Sequence, residues 1–318
     1  MFVIKNKIHN CVIIGSGPSG YSAAIYSARS DLNPVICLGP LPGGQLTNTT
    51  NIDNYLGFPK GIDGNIFMEN CRKQIERFNI HVLTYSVNRI DFSNKIGGIH
   101  RIFFEDEKLH LDSRGIIIAT GSTPNCLGID KEKKFIGFGI SFCATCDGFF
   151  YKGKNVAVVG GGDTALEEAS YLSKICKTVL ILVRKNYFKA SKILQYRIKK
   201  RKNIKVIFDS VIKKILGENS LEGIKILDKK EKKDYVISIN GLFIAIGHNP
   251  NTKILKNQIK LDKKGYIVVS KKRTNTSKPG VFAAGDVMDP YYRQAITSAG
   301  TGCMAALDLD KYLSSLNN

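Results

Sequence analysis

The sequence has no tryptophan and is short of acidic groups: 27 Asp and Glu stand against 47 Lys and Arg, a formal charge of +20. It has no apolar run near the ~18 residues that a membrane-spanning helix requires, so no membrane function is expected. It has no secretory leader pattern either. Lys5 and Lys7 precede the apolar run Cys11-Val12-Ile13-Ile14, but that run breaks at Gly15-Ser16-Gly17 instead of continuing to a small-residue cleavage site. A cytoplasmic location is expected. Cysteine is sparse: of eight, Cys11, Cys37, Cys71, Cys126, Cys176 and Cys303 stand singly among apolar neighbours and are expected to act as small core residues. That density excludes a secreted disulfide framework. Only Cys143 and Cys146 form a pair. There is no second Cys-x-x-Cys, and the five histidines lie far from Cys146 in sequence, so the four ligands of a structural zinc are not at hand. No metal is expected.

What is present is a repeated plan. The 318 residues leave room for about two domains at roughly 150 residues each. The apolar run before Gly15 predicts a strand, Gly15-Ser16-Gly17-Pro18-Ser19-Gly20 a turn, and Tyr21, Ala24, Ile25 and Ala28 a helix. Val35 to Leu38 is the next strand. In this setting the three glycines differ in role. The first makes the tight turn, the second lets a phosphate approach the backbone, and the third lets helix and strand pack closely. The helix N-terminus offers unpaired N–H groups and a partial positive charge to a pyrophosphate. The plan recurs with strand Val156–Val159, turn Gly160-Gly161-Gly162-Asp163-Thr164-Ala165, a helix through Ala169 and Leu172, and strand Val179–Val183. A second repeat links Ala119-Thr120-Gly121 with Ala245-Ile246-Gly247, each after an apolar run. The tail beyond Asn251 is too short for a nucleotide domain of its own. The expected fold is therefore α/β: two Rossmann-like dinucleotide-binding domains, the second inserted into the first, with residues 1–121 and 249–318 as one domain and 122–248 as the other, which carries the cysteine pair.

The ends of the second strands separate the two nucleotides. After Val183 come Arg184, Lys185 and then Lys189, cations that suit the 2′-phosphate of NADPH; they also belong to a generally Lys-rich surface. The first copy ends in Leu38-Gly39-Pro40, neither acidic nor basic, which points to a different dinucleotide such as FAD. In the tail, Val281–Ala284 runs into Gly285-Asp286, where a carboxylate can accept a ribityl hydroxyl. A helix start after Arg293-Gln294-Ala295 would stabilise negative charge on a reduced flavin. Cys143-Ala144-Thr145-Cys146-Asp147 has the spacing of a dithiol redox centre. Asp147 is either a proton carrier for that centre or a helix cap or solvated turn residue.

These motifs together resemble the low-molecular-weight thioredoxin reductases of bacteria, class II pyridine nucleotide-disulfide oxidoreductases. Gly15–Gly20, Gly43-Gly44-Gln45-Leu46-Thr47, Ala119–Gly121, Cys143–Asp147, Gly160–Ala165 and Gly280–Ala306 fall in family order across nearly the whole chain. The resemblance implies a homodimeric, NADPH-dependent flavoprotein that reduces thioredoxin. Carried over by position, Gly15, Ser16, Gly17, Pro18 and Gly20 would bind FAD together with Leu38, Gly39, Pro40, Leu41, Pro42, Gly43, Gly44 and Gln45. Thr47, Asn54, Val87, Ala119, Thr120 and Gly121 would add further contacts. So would Gly285, Asp286, Val287, Met288, Asp289, Pro290, Tyr291, Tyr292, Arg293, Gln294 and Ala295. Gly160, Gly162, Asp163, Thr164, Arg184, Lys185 and Lys189 would serve NADPH. The family commonly has His-Arg-Arg and a further Arg where this chain has Val183-Arg184-Lys185 and Lys189, so two bidentate forks are missing.

The resemblance further implies that electrons pass from NADPH to FAD, then to a Cys143–Cys146 disulfide, then to thioredoxin. Cys146 would be the flavin-proximal sulfur and Cys143 the one that attacks; the sequence alone leaves that assignment open. Family members rotate the inserted domain about crossovers that correspond to Gly121 and Gly247. Related enzymes that lack either the cysteine pair or the NADPH apparatus do not fit, since this chain has both. A peroxidase-reducing relative would carry an extra N-terminal domain, for which residues 1–10 leave no room. No nucleic-acid partner is expected, because the densest basic run, Lys199-Lys200-Arg201-Lys202, lacks interleaved aromatics and reads as the solvated end of an amphipathic helix.

Overall fold

The structure, a computed structural model, describes residues 7–106, 108–255, 257–271 and 273–316. The chain divides into two compact units: residues up to Thr123 together with those from Asn249 onward, and Pro124–His248. The second unit is thus an insertion in the first.

The outer unit is built on a five-stranded parallel sheet in the order Val281–Ala283, Ile116–Ile118, Val12–Ile14, Val35–Cys37, His81–Leu83. Its central strands are short β-branched runs buried on both faces, as parallel strands covered on two sides must be. The side-chain alternation sorts them cleanly. Ile13, Ile36, Ile117 and Phe282 join a core with Ala23 and Ala24 of helix Pro18–Arg29 and Ala305, Ala306 and Leu309 of helix Ala295–Ser315. Val12, Ile14, Val35, Cys37, Ile116 and Ile118 join another on the opposite face. That second face is covered by a four-stranded sheet in the order Ile8–His9, His110–Ser113, His100–Phe104, Val87–Asp91. The two helices touch where Gly302 meets Ser19: a Cβ at Gly302 would fall 2.1 Å from the Ser19 carbonyl oxygen.

The inserted unit repeats the plan. Its parallel sheet runs Ile140–Ser141, Gly241–Ile244, Asn155–Val159, Thr178–Leu182, Ile204–Ile207. Helices Asp163–Leu172 and Lys192–Lys199 cover one face, with Val156, Val158, Val179 and Ile181 in the shared core. A three-stranded antiparallel sheet, Ser210–Leu216, Gly223–Asp228, Lys233–Ser238, covers the other, over Ala157, Leu182, Leu242 and Ile244. Burying each of the valine, leucine and isoleucine side chains contributes roughly 1.5–3 kcal/mol. The two fold halves read from the sequence are present as a two-domain fold with a nested second half. The covering sheets that complete each half, mixed in the outer unit and antiparallel in the inserted one, have no counterpart in the sequence reading.

Two further sequence expectations meet the structure differently. Lys199 ends helix Lys192–Lys199, whose Leu194 and Ile198 are buried while Lys199, Lys200, Arg201 and Lys202 are exposed, as a solvated face requires. The six single cysteines are free, but only Cys11, Cys37 and Cys176 are buried; Cys71 and Cys303 are half-buried on helix surfaces, and Cys126 is exposed. Cys71 packs at the edge of the outer unit's core, on the stripe of Phe67, Met68 and Ile75, whereas Cys303 lies off the buried stripe of its helix.

Candidate active site and dinucleotide cradles

In the outer unit the first glycine turn is a crowded joint with one open side. Gly15 has φ +114°, and a Cβ there would sit 2.2 Å from the Ala119 carbonyl oxygen; a Cβ on Gly20 would sit 1.9 Å from the Gly15 carbonyl oxygen. A Cβ on Gly17 would meet nothing within 4 Å. Backbone is therefore pressed against backbone at the first and third glycines and left approachable at the second. Helix Pro18–Arg29 starts at Gly17 with Pro18 in its first turn and no side-chain cap, so its leading N–H groups remain available to an anion.

Leu38, Gly43, Gly44 and Gly285 meet residues of this turn or of the helix that leaves it, and the other candidates hold partners of their own. Ser16, buried, donates to the Leu38 carbonyl at 2.8 Å and accepts the Gly43 N–H at 3.1 Å. Gly44 lies over Gly17, where a Cβ on Gly44 would come within 3.2 Å of the Gly17 Cα, and Thr47 donates to the Gly44 carbonyl at 2.8 Å. Asn54 donates to Gln294 at 3.3 Å. Gly285, with φ +75°, faces Ser19, and its N–H donates to Thr301 at 2.9 Å. Asp286 accepts from Ser298 at 2.9 Å, and burial pushes its carboxyl up to about 6, the Ser298 hydrogen bond acting the other way. Asp289 accepts the N–H groups of Tyr291 at 2.8 Å and Tyr292 at 3.0 Å, which leaves both rings projecting into solvent. Leu41 is exposed, and Val87 sits partly buried on the covering sheet.

The second glycine turn has the same architecture. A Cβ on Gly160 would fall 2.4 Å from the Ala245 carbonyl oxygen, and one on Gly162 would meet nothing within 4 Å. Helix Asp163–Leu172 again starts without a side-chain cap. Asp163 accepts the Ser191 N–H at 2.7 Å, tying the helix start to the next helix. The segment after strand Thr178–Leu182 folds back on the turn: the N–H groups of Lys189 and Ala190 donate to the Gly161 carbonyl at 2.7 and 3.1 Å. That brings Lys189 to the glycine turn; Arg184 and Lys185 are exposed on the same loop, and among the described residues no carboxylate pairs with any of the three. Lys185 Nζ donates to the Tyr187 hydroxyl at 2.9 Å, a partner that no sequence motif marks.

Cys143 and Cys146 are joined as a disulfide with Cα atoms 5.3 Å apart. The pair lies on the short helix Ala144–Asp147, between strand Ile140–Ser141 and the strand that feeds the second glycine turn. Both cysteines are half-buried. Ala144 is buried in the core beneath helix Asp163–Leu172, and a Cβ on Gly148 would press on Leu172 and Tyr171 at 3.0 and 3.2 Å. Cys143 Sγ accepts the Cys146 N–H at 3.2 Å and lies 3.3 Å from the Thr145 hydroxyl. Ser141, buried, accepts the Cys143 N–H at 3.0 Å and donates to the Cys143 carbonyl at 3.2 Å. Asp147 makes no side-chain cap to the 3-10 turn after it, so the capping alternative does not hold. Burial raises its carboxyl above the ordinary value, and the nearby Ser141 hydroxyl pulls partly back. Burial likewise pushes Tyr151 up to about 12, with Asp147 adding to it. Ser141 escaped sequence reading; only its position two residues before the first cysteine marked it.

Among the described residues no cluster of His, Cys, Asp and Glu is placed to hold a metal ion, and no helix is long and apolar enough to cross a membrane. The chain matches the family described as pyridine nucleotide-disulphide oxidoreductase over residues 9–302. It is 44% identical to a thioredoxin reductase of Coxiella burnetii, over 98% of this chain and 99% of that one. It is 47% identical to a thioredoxin reductase of Rickettsia typhi, over 95% and 97%. Among solved structures, it resembles a thioredoxin reductase from Giardia duodenalis with a TM-score of 0.91 at 36% identity, over 97% of this chain and 100% of that one. It resembles one from Streptococcus pyogenes with a TM-score of 0.91 at 35% identity, over 98% and 100%.

Proposed function

Because the chain belongs to the pyridine nucleotide-disulphide oxidoreductases and, within them, to the thioredoxin reductases, we propose that it reduces the disulfide of a thioredoxin at Cys143 and Cys146 with electrons drawn from NADPH through FAD. The observation that carries this reading is the half-buried Cys143–Cys146 disulfide, in the same compact unit as an uncapped glycine turn flanked by cations. When bound, FAD and NADPH supply the electron pair that opens this disulfide. The donor set of each turn fits its dinucleotide. The open face at Gly17, the bare helix start at Pro18 and the Asp286 carboxylate suit the pyrophosphate and ribityl groups of FAD. The open face at Gly162 with Arg184, Lys185 and Lys189 suits a pyrophosphate and a 2′-phosphate.

In the opened state Cys143 Sγ attacks one sulfur of the thioredoxin disulfide. A mixed disulfide forms as the thioredoxin S–S bond breaks, and the departing sulfur takes a proton. Cys146 Sγ then attacks Cys143 Sγ, which restores their bond and releases thioredoxin as a dithiol. The Cys146 N–H and Thr145 hydroxyl beside Cys143 Sγ stabilise the attacking thiolate. The raised carboxyl of Asp147 keeps a proton to give at higher pH than an exposed aspartate would. A homodimer in the cytoplasm completes the reading; the free thiols, exposed Cys126 among them, suit a reducing compartment.

Purified protein is expected to be yellow and to bleach anaerobically with NADPH. Cys146→Ser should still bleach yet lose thioredoxin turnover. Normal thioredoxin turnover by that variant would falsify the mechanism.

A further inference from the structure

The loop after strand Thr178–Leu182 holds a pair that the basic residues alone do not explain. Lys185 Nζ donates to the Tyr187 hydroxyl at 2.9 Å and lies 5.1 Å from the centre of the Tyr187 ring. Both side chains are exposed, and the loop is fixed at both sides. The Lys185 carbonyl accepts the Asp209 N–H at 3.2 Å, and the Lys189 N–H donates to the Gly161 carbonyl at 2.7 Å. A lysine ammonium is a point charge on a flexible four-carbon stem, whereas an arginine presents a rigid, pre-organised fork of donors. Tyr187 changes that comparison. Its ring and hydroxyl hold the ammonium in one place, and the hydroxyl keeps its own proton to donate. The ammonium in turn lowers the Tyr187 pKa, which makes that proton a stronger donor.

We propose that Lys185 and Tyr187 act together as a composite fork for a phosphate monoester, with one N–H and one O–H donor side by side, and that Tyr187 is a specificity residue for NADPH over NADH. This rests on the proposed nucleotide role of the second glycine turn. The chemistry recognised is the 2′-phosphate itself, so Tyr187 contributes nothing to a dinucleotide that lacks it.

The test is equilibrium binding of NADP⁺ and of NAD⁺ to the oxidised holoenzyme by titration calorimetry, for the parent, Tyr187→Phe, and Tyr187→Phe combined with Lys185→Arg. Tyr187→Phe should weaken NADP⁺ on the order of tenfold, as loss of a hydrogen bond to a charged group does, and leave NAD⁺ unchanged. The double variant should recover most of the loss, since arginine carries its own fork. Equal weakening of both nucleotides makes Tyr187 a platform for the shared adenosine and overturns the proposal, as does an unchanged NADP⁺ affinity. A parent that binds both nucleotides equally overturns the NADPH assignment instead, before Tyr187 is at issue.

Discussion

The two glycine turns share one geometry at their first two glycines and part at the third. At Gly20 the helix is so close to its strand that a methyl group would overlap the Gly15 carbonyl at 1.9 Å, whereas the equivalent position in the inserted unit is Ala165, fully buried and accommodated. The difference extends to the segment after the second strand. In the outer unit the chain leaves Val35–Cys37 into a loop clamped by Ser16, through Leu38 and Gly43. In the inserted unit it leaves into an exposed cationic loop that returns to Gly161. One plan thus yields a closed, neutral cradle and an open, basic one. The closed form suits a group that stays bound, the open form one that must come and go each turnover.

Substitutions can break that contrast or sharpen it. The largest effect is expected from Gly20→Ala, which forces backbone apart where Ala165→Gly only removes a methyl group. Overpacking of this kind costs about 1–3 kcal/mol or more. Gly20→Ala should leave protein with little flavin absorbance and a lowered Tm. Ala165→Gly should keep its flavin and lose about 1 kcal/mol of stability. Equal tolerance at the two sites would mean that the close approach in the outer unit is not needed.

Next comes Arg184→Ala. Losing one charge-assisted pair should weaken NADP⁺ about 10- to 100-fold while flavin content stays at one per chain. A drop in flavin content alongside would deny that the two cradles work separately.

Ser141→Ala should have the smallest effect, about a fivefold loss in kcat, the rate equivalent of a hydrogen bond worth ~1 kcal/mol. Its signature is in the pH profile. Ser141 favours the charged form of Asp147, so without it the carboxyl titrates higher, and the limb reporting Asp147 should move to higher pH. Ser141→Thr should return both values towards the parent; a lower rate with an unmoved limb would reduce Ser141 to a structural part.

Periodicity and spacing made much of the molecule legible in the sequence. The strands entering each glycine turn and the helices leaving them were readable, because short continuous apolar runs ending in glycine and the 3.6-residue stripe leave a local record, and the nested order was readable from the repeated Ala-x-Gly segments and the short tail. So was the cysteine pair. The convergence of Ser16 on Leu38 and Gly43 was not, although all three were candidates, because a hydrogen bond between segments 22 and 27 residues apart leaves no period. Nor was the back-folding of Lys189 onto Gly161, which depends on a carbonyl rather than on a residue type. Nor was the contact from the Ser191 N–H to the Asp163 carboxylate, between segments 28 residues apart. Tyr187 and Ser141 carry no motif at all; their meaning lies in the residues they touch.

Each unit also closes on itself where the chain passes from one to the other. The Asn125 N–H donates to the Gly247 carbonyl at 3.0 Å within the inserted unit. Within the outer unit the Asn251 N–H donates to the Gly121 carbonyl at 3.0 Å, and the Asn251 side chain to the Thr120 carbonyl at 2.8 Å. Both pieces therefore have neighbouring ends, which is the condition under which a segment can be excised, transplanted or expressed alone without stranding its host. Residues 124–248 form a cassette: the gap that their removal leaves is one a single turn can bridge, and a foreign domain whose own ends lie as close could be spliced in their place.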